Sequence, residues 1–367
     1  MNVNQLKLIH FRNYENTSFS FDSNCIHYLY GKNAQGKTNL IEAIYFLSHL
    51  HSFRTNQLPS LVMKENESLI IEAKVESNKQ NEHLKVVVSH HKKHLFRFLN
   101  PVNKYSDFVG IVNAILFCPD DMMIFSQSPK FRRRFIDMEL IKLSKTYTTT
   151  LSHYQKILKE RNLALKQNEI NDALIDIYTD QMIQDEKIIL NQRNHFIEQL
   201  ILKAKQIYPF FSSEKEIIDA KYETFVSIDD DLEENLIHAY QKSLAKDKLY
   251  HQTNLGIHKD DIQFLLNGSN INDVASQGQK RSFLLALKLG LAQIIYEKSH
   301  QYPILLLDDV FSELDDIRKK QLIQKLPLNM QIFITTTEWM DPSSFGSRPV
   351  KFYKIEKGSI KEVDHGR

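Results

Sequence analysis

The octapeptide Gly31-Lys32-Asn33-Ala34-Gln35-Gly36-Lys37-Thr38 constrains this chain more than any other segment. It satisfies G-x-x-x-x-G-K-[ST], behind a β-rich run at 25–30 and ahead of an apolar run that reads as a helix from Thr38 to about Leu50. The glycines let successive backbone N–H groups curl inward, and the helix start adds a favourable dipole. Together they form a phosphate cradle. In such a cradle Lys37 is expected at the β- and γ-phosphates of a nucleoside triphosphate, and the Thr38 hydroxyl at its Mg²⁺. Only 10 glycines occur among 367 residues, so two within one octapeptide are informative.

A second segment matches the first. Pro303-Ile-Leu-Leu-Leu-Asp308-Asp309 is a short apolar run ending in two carboxylates, the pattern of a buried parallel strand whose carboxyl end faces a ligand. Asp308 is placed to hold the Mg²⁺ shell, and Asp309 to orient or activate the attacking water. Such a run alone is often a capped strand; behind a phosphate loop it gains weight. The wide separation of the two segments argues against compact GTPases.

The texture along the chain divides it in three. Residues 1–122 read mainly as strands, at 6–11, 25–30, 69–75, 84–88 and 114–117. Residues 123–250 lack glycine and carry helical apolar stripes, Leu151, Tyr154, Leu158 and Leu165 in one, Ile189, Phe196, Leu200 and Ile207 in the other. Residues 251–367 return to α/β texture, with strands expected at 261–266, 304–307 and 331–336. The fold expected is α/β: one P-loop ATPase lobe built from both chain ends, with an inserted helical subdomain. The 47 basic and 45 acidic side chains nearly balance, so any nucleic-acid footprint must be local. Two cysteines, Cys25 and Cys118, are too few for a disulfide framework. No signal peptide or membrane-spanning run is evident, and a cytoplasmic location is expected.

Ser276-Gln277-Gly278-Gln279-Lys280-Arg281 precedes another amphipathic helix and lies, in sequence order, between the glycine loop and the acidic strand. A serine cap with glycine at a helix start can bind an anion or simply begin a helix. The stretch resembles the signature motif of ABC-type ATPases, and Ser312-Glu313-Leu314-Asp315 resembles their D-loop. That resemblance implies an ATP-dependent homodimer in which Ser276, Gly278 and Gln279 reach the nucleotide held by the other subunit.

Four stretches narrow the resemblance to the RecF family: Phe11-Arg12-Asn13-Tyr14; the glycine loop continued to Leu40; the block from Pro119-Asp120 to Asp137; and His258-Lys259-Asp260-Asp261 taken with the Ser276 stretch and residues 306–315. Gln127 stands where that family has glycine, and Ile257 and Lys259 where it has proline and arginine. Thr335-Thr336-Thr337 occupies the place of the wider superfamily's switch histidine. The resemblance implies a weak ATP hydrolase bound to single-stranded, double-stranded or gapped DNA. It further implies work with RecR and RecO in assembling RecA during repair, replication and SOS induction.

Arg12 ends the strand nearest the glycine loop and is expected to contact nucleotide. Lys130, Arg132, Arg133 and Arg134 form the densest basic cluster and are the candidates for DNA phosphates. A solvated or ATP-facing basic turn is the competing reading, with Asp137 one helical turn on as an ion-pair partner for Arg132 or Arg133. His83, His90, His91 and His94 read as surface histidines rather than a metal site, and Trp339 as packing near the last strand. An SMC-like DNA tether is the alternative function, against which a helical insert of about 125 residues is short. A transporter's nucleotide-binding subunit is the other, against which no coupling glutamine is recognisable near Pro119.

Overall fold

The computed structural model describes residues 1–77, 80–212 and 215–363, with the backbone alone described at 312 and 313. Two compact units emerge: Met1–Asp121 together with Lys288–Arg367, and Met122–Leu287.

The first unit contains two six-stranded sheets. In one, the strands run in the order Ser359–Val363, Val350–Glu356, Ile26–Tyr30, Ile332–Thr336, Ile304–Asp308 and Ala114–Phe117, all neighbours parallel except the first pair. Every residue of Ile304–Asp308 and Ile332–Thr336 is buried, as expected for strands covered on both faces. Register decides the rest. Asp308 pairs with Thr335, and Thr336 with Tyr30, so three carboxyl ends finish level, one leading straight into Gly31. The helix Lys37–His49 begins just after the loop, its central residues 40–48 all buried.

The other sheet is antiparallel, in the order Tyr14–Ser20, Asn2–Phe11, Ser68–Ser77, Gln80–Ser89, Lys92–Arg97, Asn100–Val102. Alternation buries Leu69, Ile71, Ala73 and Val75 on one face. Gln331, fully buried, stitches it to the parallel sheet. Its side-chain amide accepts from Val3 N at 2.8 Å and donates to Val3 O and Asp22 O at 3.0 Å. Cys25 and Cys118 are free and buried.

The second unit is built from the helices Pro129–Leu143, Lys145–Ala164, Asp172–Ile207 and Leu232–Tyr250. Ser144 and Asn171 cap the second and third by accepting from the N–H groups of Tyr147 and Leu174. The stripe Ile189, Phe196, Leu200, Ile207 is buried as expected. The other runs through Ile157, leaving Leu158 only half-buried. The boundary expected at 250 moves to Leu287, because Asp261–Leu266 pairs antiparallel with Ile218–Glu223. Two buried arginines fix this unit: Arg161 pairs with Asp247 at 2.9 Å, and Arg193 with Asp137 at 2.8 Å and Asp260 at 3.2 Å. Among the described residues no helix is long and apolar enough to cross a membrane.

Candidate nucleotide site

Backbone conformation comes first. Gly31 has φ 153° and Gly36 φ 117°. A Cβ on Gly31 would lie 2.5 Å from Ile355 O, and one on Gly36 2.8 Å from Asn13 Nδ2. Both positions therefore require glycine, for conformation and for space.

The segment Phe11-Arg12-Asn13-Tyr14 braces this loop from behind. Asn13 Nδ2 donates to Gln35 O at 3.0 Å, and the Tyr14 hydroxyl donates to Gly36 O at 2.9 Å. Asn39, on the helix, donates to Asn13 Oδ1 at 2.8 Å. A second brace arrives from the turn between Val350–Glu356 and Ser359–Val363. There Lys357 N donates to Gln35 Oε1 at 2.8 Å and Gly358 N to Gln35 O at 3.0 Å.

Lys37 is 5% exposed, and its ammonium donates to the carbonyls of Gly31 at 2.7 Å and Lys32 at 2.9 Å. Burial lowers its pKa, and Asp309 and Asp308 oppose that shift. Thr38 Oγ1 lies 2.9 Å from Asp308 Oδ1, which also accepts from Thr335 Oγ1 at 2.7 Å. Burial raises the Asp308 pKa, and the two hydroxyls and the Arg54 charge partly offset it. Asp309 follows in left-handed conformation, φ 54°, its N–H held by the carbonyl and hydroxyl of Thr335 at 3.2 and 3.1 Å. The cluster thus offers a hard cation one hydroxyl and one carboxylate. No group of three metal-binding side chains exists among the described residues, so phosphate oxygens and water would complete the shell. That donor set suits Mg²⁺.

Arg12, expected at the nucleotide, is held within the chain. Its guanidinium holds the fully buried Glu42 through two hydrogen bonds at 2.8 and 2.7 Å and reaches Ser60 O at 2.7 Å. Three of its five donors are thereby used within the chain. Arg54, which the sequence reading passed over, lies 2.8 Å from Asn39 Oδ1 and 3.6 Å from Glu42.

In the second unit, Ser276 and Gln279 form a reciprocal capping box. Gln279 N donates to Ser276 Oγ at 3.2 Å and Ser276 N to Gln279 Oε1 at 2.7 Å. Gln279 Nε2 also donates to Glu216. Lys280 N is bonded to Ser276 O, so the N–H groups of Gln277 and Gly278 precede the helix ladder. Asp315 caps Asp316–Lys325; the side chains of Ser312 and Glu313 lie outside the described residues.

The chain aligns over nearly its whole length with RecF sequences. It is 36% identical over 362 residues to the DNA replication and repair protein RecF of Clostridium perfringens, covering 98% of this chain and all of that one. Against the RecF of Oceanobacillus iheyensis it is 37% identical, covering 92% of this chain and 94% of the relative. The chain belongs to the RecF family. A family model described as the RecF/RecN/SMC N-terminal domain matches residues 2–107. A solved structure of the recombination mediator protein RecF with ATP, of the RecFOR pathway, superposes with TM-score 0.90 at 29% identity, covering 99% and 97% of the two chains. An Smc head from Pyrococcus furiosus shares the fold at TM-score 0.55 and 16% identity. The fold is thus the ABC-type α/β ATPase head with an inserted helical subdomain, as the sequence implied.

Within this frame the basic cluster separates. Arg132 is bidentate to Asp261 at 2.6 and 2.7 Å and bonds Gln127 O at 2.6 Å. Arg133 donates to Asp260 O. Lys130 and Arg134 are exposed. The partner expected for Arg132 or Arg133, Asp137, is instead taken by Arg193 and the Tyr147 hydroxyl. The helix carries Asp137 toward the long helix Asp172–Ile207, a pairing no local spacing discloses. Of the four histidines, His83 bonds Glu72 at 2.6 Å on adjacent strands. Trp339 packs on Phe352 and Tyr30, ring centroids at 4.7 and 5.4 Å.

Proposed function

We propose that the chain is an ATP-operated recombination mediator, binding ATP and Mg²⁺ at residues 31–38 and closing as a homodimer on gapped or double-stranded DNA. The observation that carries this reading is the convergence of Lys37 and Thr38, which open a helix, with Asp308 at the end of a parallel strand, where Thr335 of the neighbouring strand bonds the carboxylate. Full-length similarity to a RecF solved with ATP supports it.

The residues divide the work. The backbone of residues 31–36 binds phosphate oxygens, and Lys37 exchanges its two loop carbonyls for phosphate. Thr38 and Asp308 would hold Mg²⁺, which supplies charge neutralisation at the phosphates. Asp309 orients the attacking water. The exposed Ser276 and the open N–H groups of Gln277 and Gly278 face the nucleotide of a second copy, so ATP stabilises the closed dimer by linkage. Slow hydrolysis reopens it. RecO and RecR are the partners that fit this reading, with RecA loading on single-stranded gaps as the outcome.

The tether reading is weaker. The longest helix, Asp172–Ile207, has 36 residues and spans about 54 Å, far short of a chromosome-bridging arm. The experiment is retention of gapped DNA with and without ATP, in wild type and Lys37→Ala. ATP-stimulated retention lost in the variant is expected; equal retention in both would end the proposal.

A further inference from the structure

The end of the long helix Asp172–Ile207 and the helix start at Ser276 meet at one side chain, Glu216. It stands half-buried in the loop ahead of strand Ile218–Glu223. An ionised carboxylate only accepts hydrogen bonds, and this one accepts on both oxygens. Oε2 takes the hydroxyls of Tyr208 and of Ser212, the latter at 2.7 Å, both just past the long helix. Oε1 takes Gln279 Nε2 at 2.5 Å. The next residue, Ile217, is pinned in turn: its N–H donates to Asn267 Oδ1 and its carbonyl accepts from Asn267 N, each at 2.8 Å. The loop therefore delivers the carboxylate to a fixed place.

That placement decides which way the Gln279 amide faces, because one end donates and the other accepts. With Nε2 on Glu216, Oε1 falls on the Ser276 N–H and accepts at 2.7 Å. The reversed amide would set oxygen against carboxylate and NH2 against N–H, unfavourable on both sides. In the observed orientation the capping box closes through Gln279 N and Ser276 Oγ. The serine oxygen thus accepts, and among the described residues no acceptor takes its hydrogen. One turn further, buried Ser282 donates to Phe211 O at 2.9 Å, tying the same helix face to the same turn.

We propose that Glu216 is a positioning residue for the shared nucleotide. Its carboxylate sets the Gln279 amide, and through it holds Ser276 and the N–H groups of Gln277 and Gly278 ready for the terminal phosphate on a second copy. The inference rests on the dimer reading above and assigns to it a residue that does not itself touch ATP. Donors aimed in advance meet an anion without rearrangement. A charge-assisted hydrogen bond, short and directional, suits that task.

Sedimentation across protein concentrations, with Mg²⁺ and a non-hydrolysable ATP analogue, tests this in Glu216→Ala, Glu216→Gln and Tyr208→Phe. Glu216→Ala is expected to bind the analogue normally at its own glycine loop, yet to need roughly tenfold more protein to dimerise. Glu216→Gln keeps an acceptor for Gln279 and is expected to retain most of the dimer. Tyr208→Phe removes a bond to the other oxygen only, so its melting temperature should fall while dimerisation stays. Glu216→Ala that dimerises like wild type overturns the assignment, as does a folded Glu216→Gln that stays monomeric. Tyr208→Phe that weakens dimerisation as much as Glu216→Ala also overturns it, since the carboxylate then acts only through stability. Wild type that stays monomeric with the analogue overturns both the assignment and the dimer reading it rests on.

Discussion

The Thr335 hydroxyl donates to Asp308 Oδ1 at 2.7 Å and accepts from the Asp309 N–H at 3.1 Å. One side chain thus orients both acidic residues at the end of the neighbouring strand. The sequence had marked Thr335 only as standing where a histidine is absent. Strand register makes it a positioning residue, since Thr335 is opposite Asp308 in the parallel pair.

Thr335→Val removes both bonds at nearly constant volume. ATP hydrolysis, where measured, is expected to fall about 10- to 100-fold through lost orientation of the metal ligand, while Thr335→Ser retains most of it. Mg²⁺ titration of nucleotide binding checks the cause, because the Mg²⁺ requirement should rise only in the valine variant. A valine variant with unchanged Mg²⁺ dependence contradicts the assignment.

Burial also holds the Asp308 carboxyl above its ordinary pKa of 3.8. In the absence of ligand this group favours the folded state below that value and loses its contribution as pH rises through the raised value. Mg²⁺ needs the carboxylate. Nucleotide-linked Mg²⁺ affinity should therefore weaken with acidification at a higher pH than for an exposed aspartate, read as Kd against pH. Asp308→Asn should flatten that dependence.

The chain's far end supports the phosphate loop. Gly358 has φ 75°, and a Cβ there would lie 2.6 Å from Asn13 O; Gly346 has φ 65° with open space around it. Gly358→Ala is expected to lower ATP affinity several-fold, whereas Gly346→Ala carries only the backbone strain of about 1 kcal/mol. Equal ATP affinities in the two variants would remove the bracing role.

Much of this site was legible from residues alone. The glycine loop, Lys37, Thr38 and Asp308 rest on local spacing, which the strand–loop–helix context enforces. The braces were not legible, because Asn13 and Tyr14 act on carbonyls 22 residues away and Gly358 on one more than 300 residues away. The Arg12 pairing was not legible either: strand position points to nucleotide, and the ion pair with the buried Glu42 joins residues 30 apart. The polar strand Tyr14–Ser20 and the short strand Ile218–Glu223 lack the apolar runs that reveal a strand. The latter carried the second unit past residue 250.

Arg132 and Lys130 should behave oppositely. Arg132→Ala leaves the partly buried Asp261 unpaired and should cost about 1–3 kcal/mol of stability, with the salt dependence of DNA binding unchanged. Lys130→Ala should leave the melting temperature in place and reduce the slope of log K against log salt by about one. The reverse pattern would assign Arg132 to DNA.

The Glu186 carboxyl is pushed up to about 8 by burial, against hydrogen bonds from the Ile257 amide and the Tyr240 and Tyr154 hydroxyls. Its contribution to stability is full below the unfolded value of 4.5 and is lost as pH rises toward 8. Melting temperature should therefore decline between those limits, and Glu186→Gln should flatten the decline. An identical pH profile in the variant would place Glu186 outside this titration.

The central claim is that one ATP is held by the glycine loop of one copy and the Ser276 helix start of another. Sedimentation of Ser276→Arg with Mg²⁺ and a non-hydrolysable ATP analogue, beside wild type, tests it most directly. The account predicts a wild-type dimer and a variant that binds the analogue with normal affinity yet remains monomeric. A variant that dimerises as fully as wild type would contradict it.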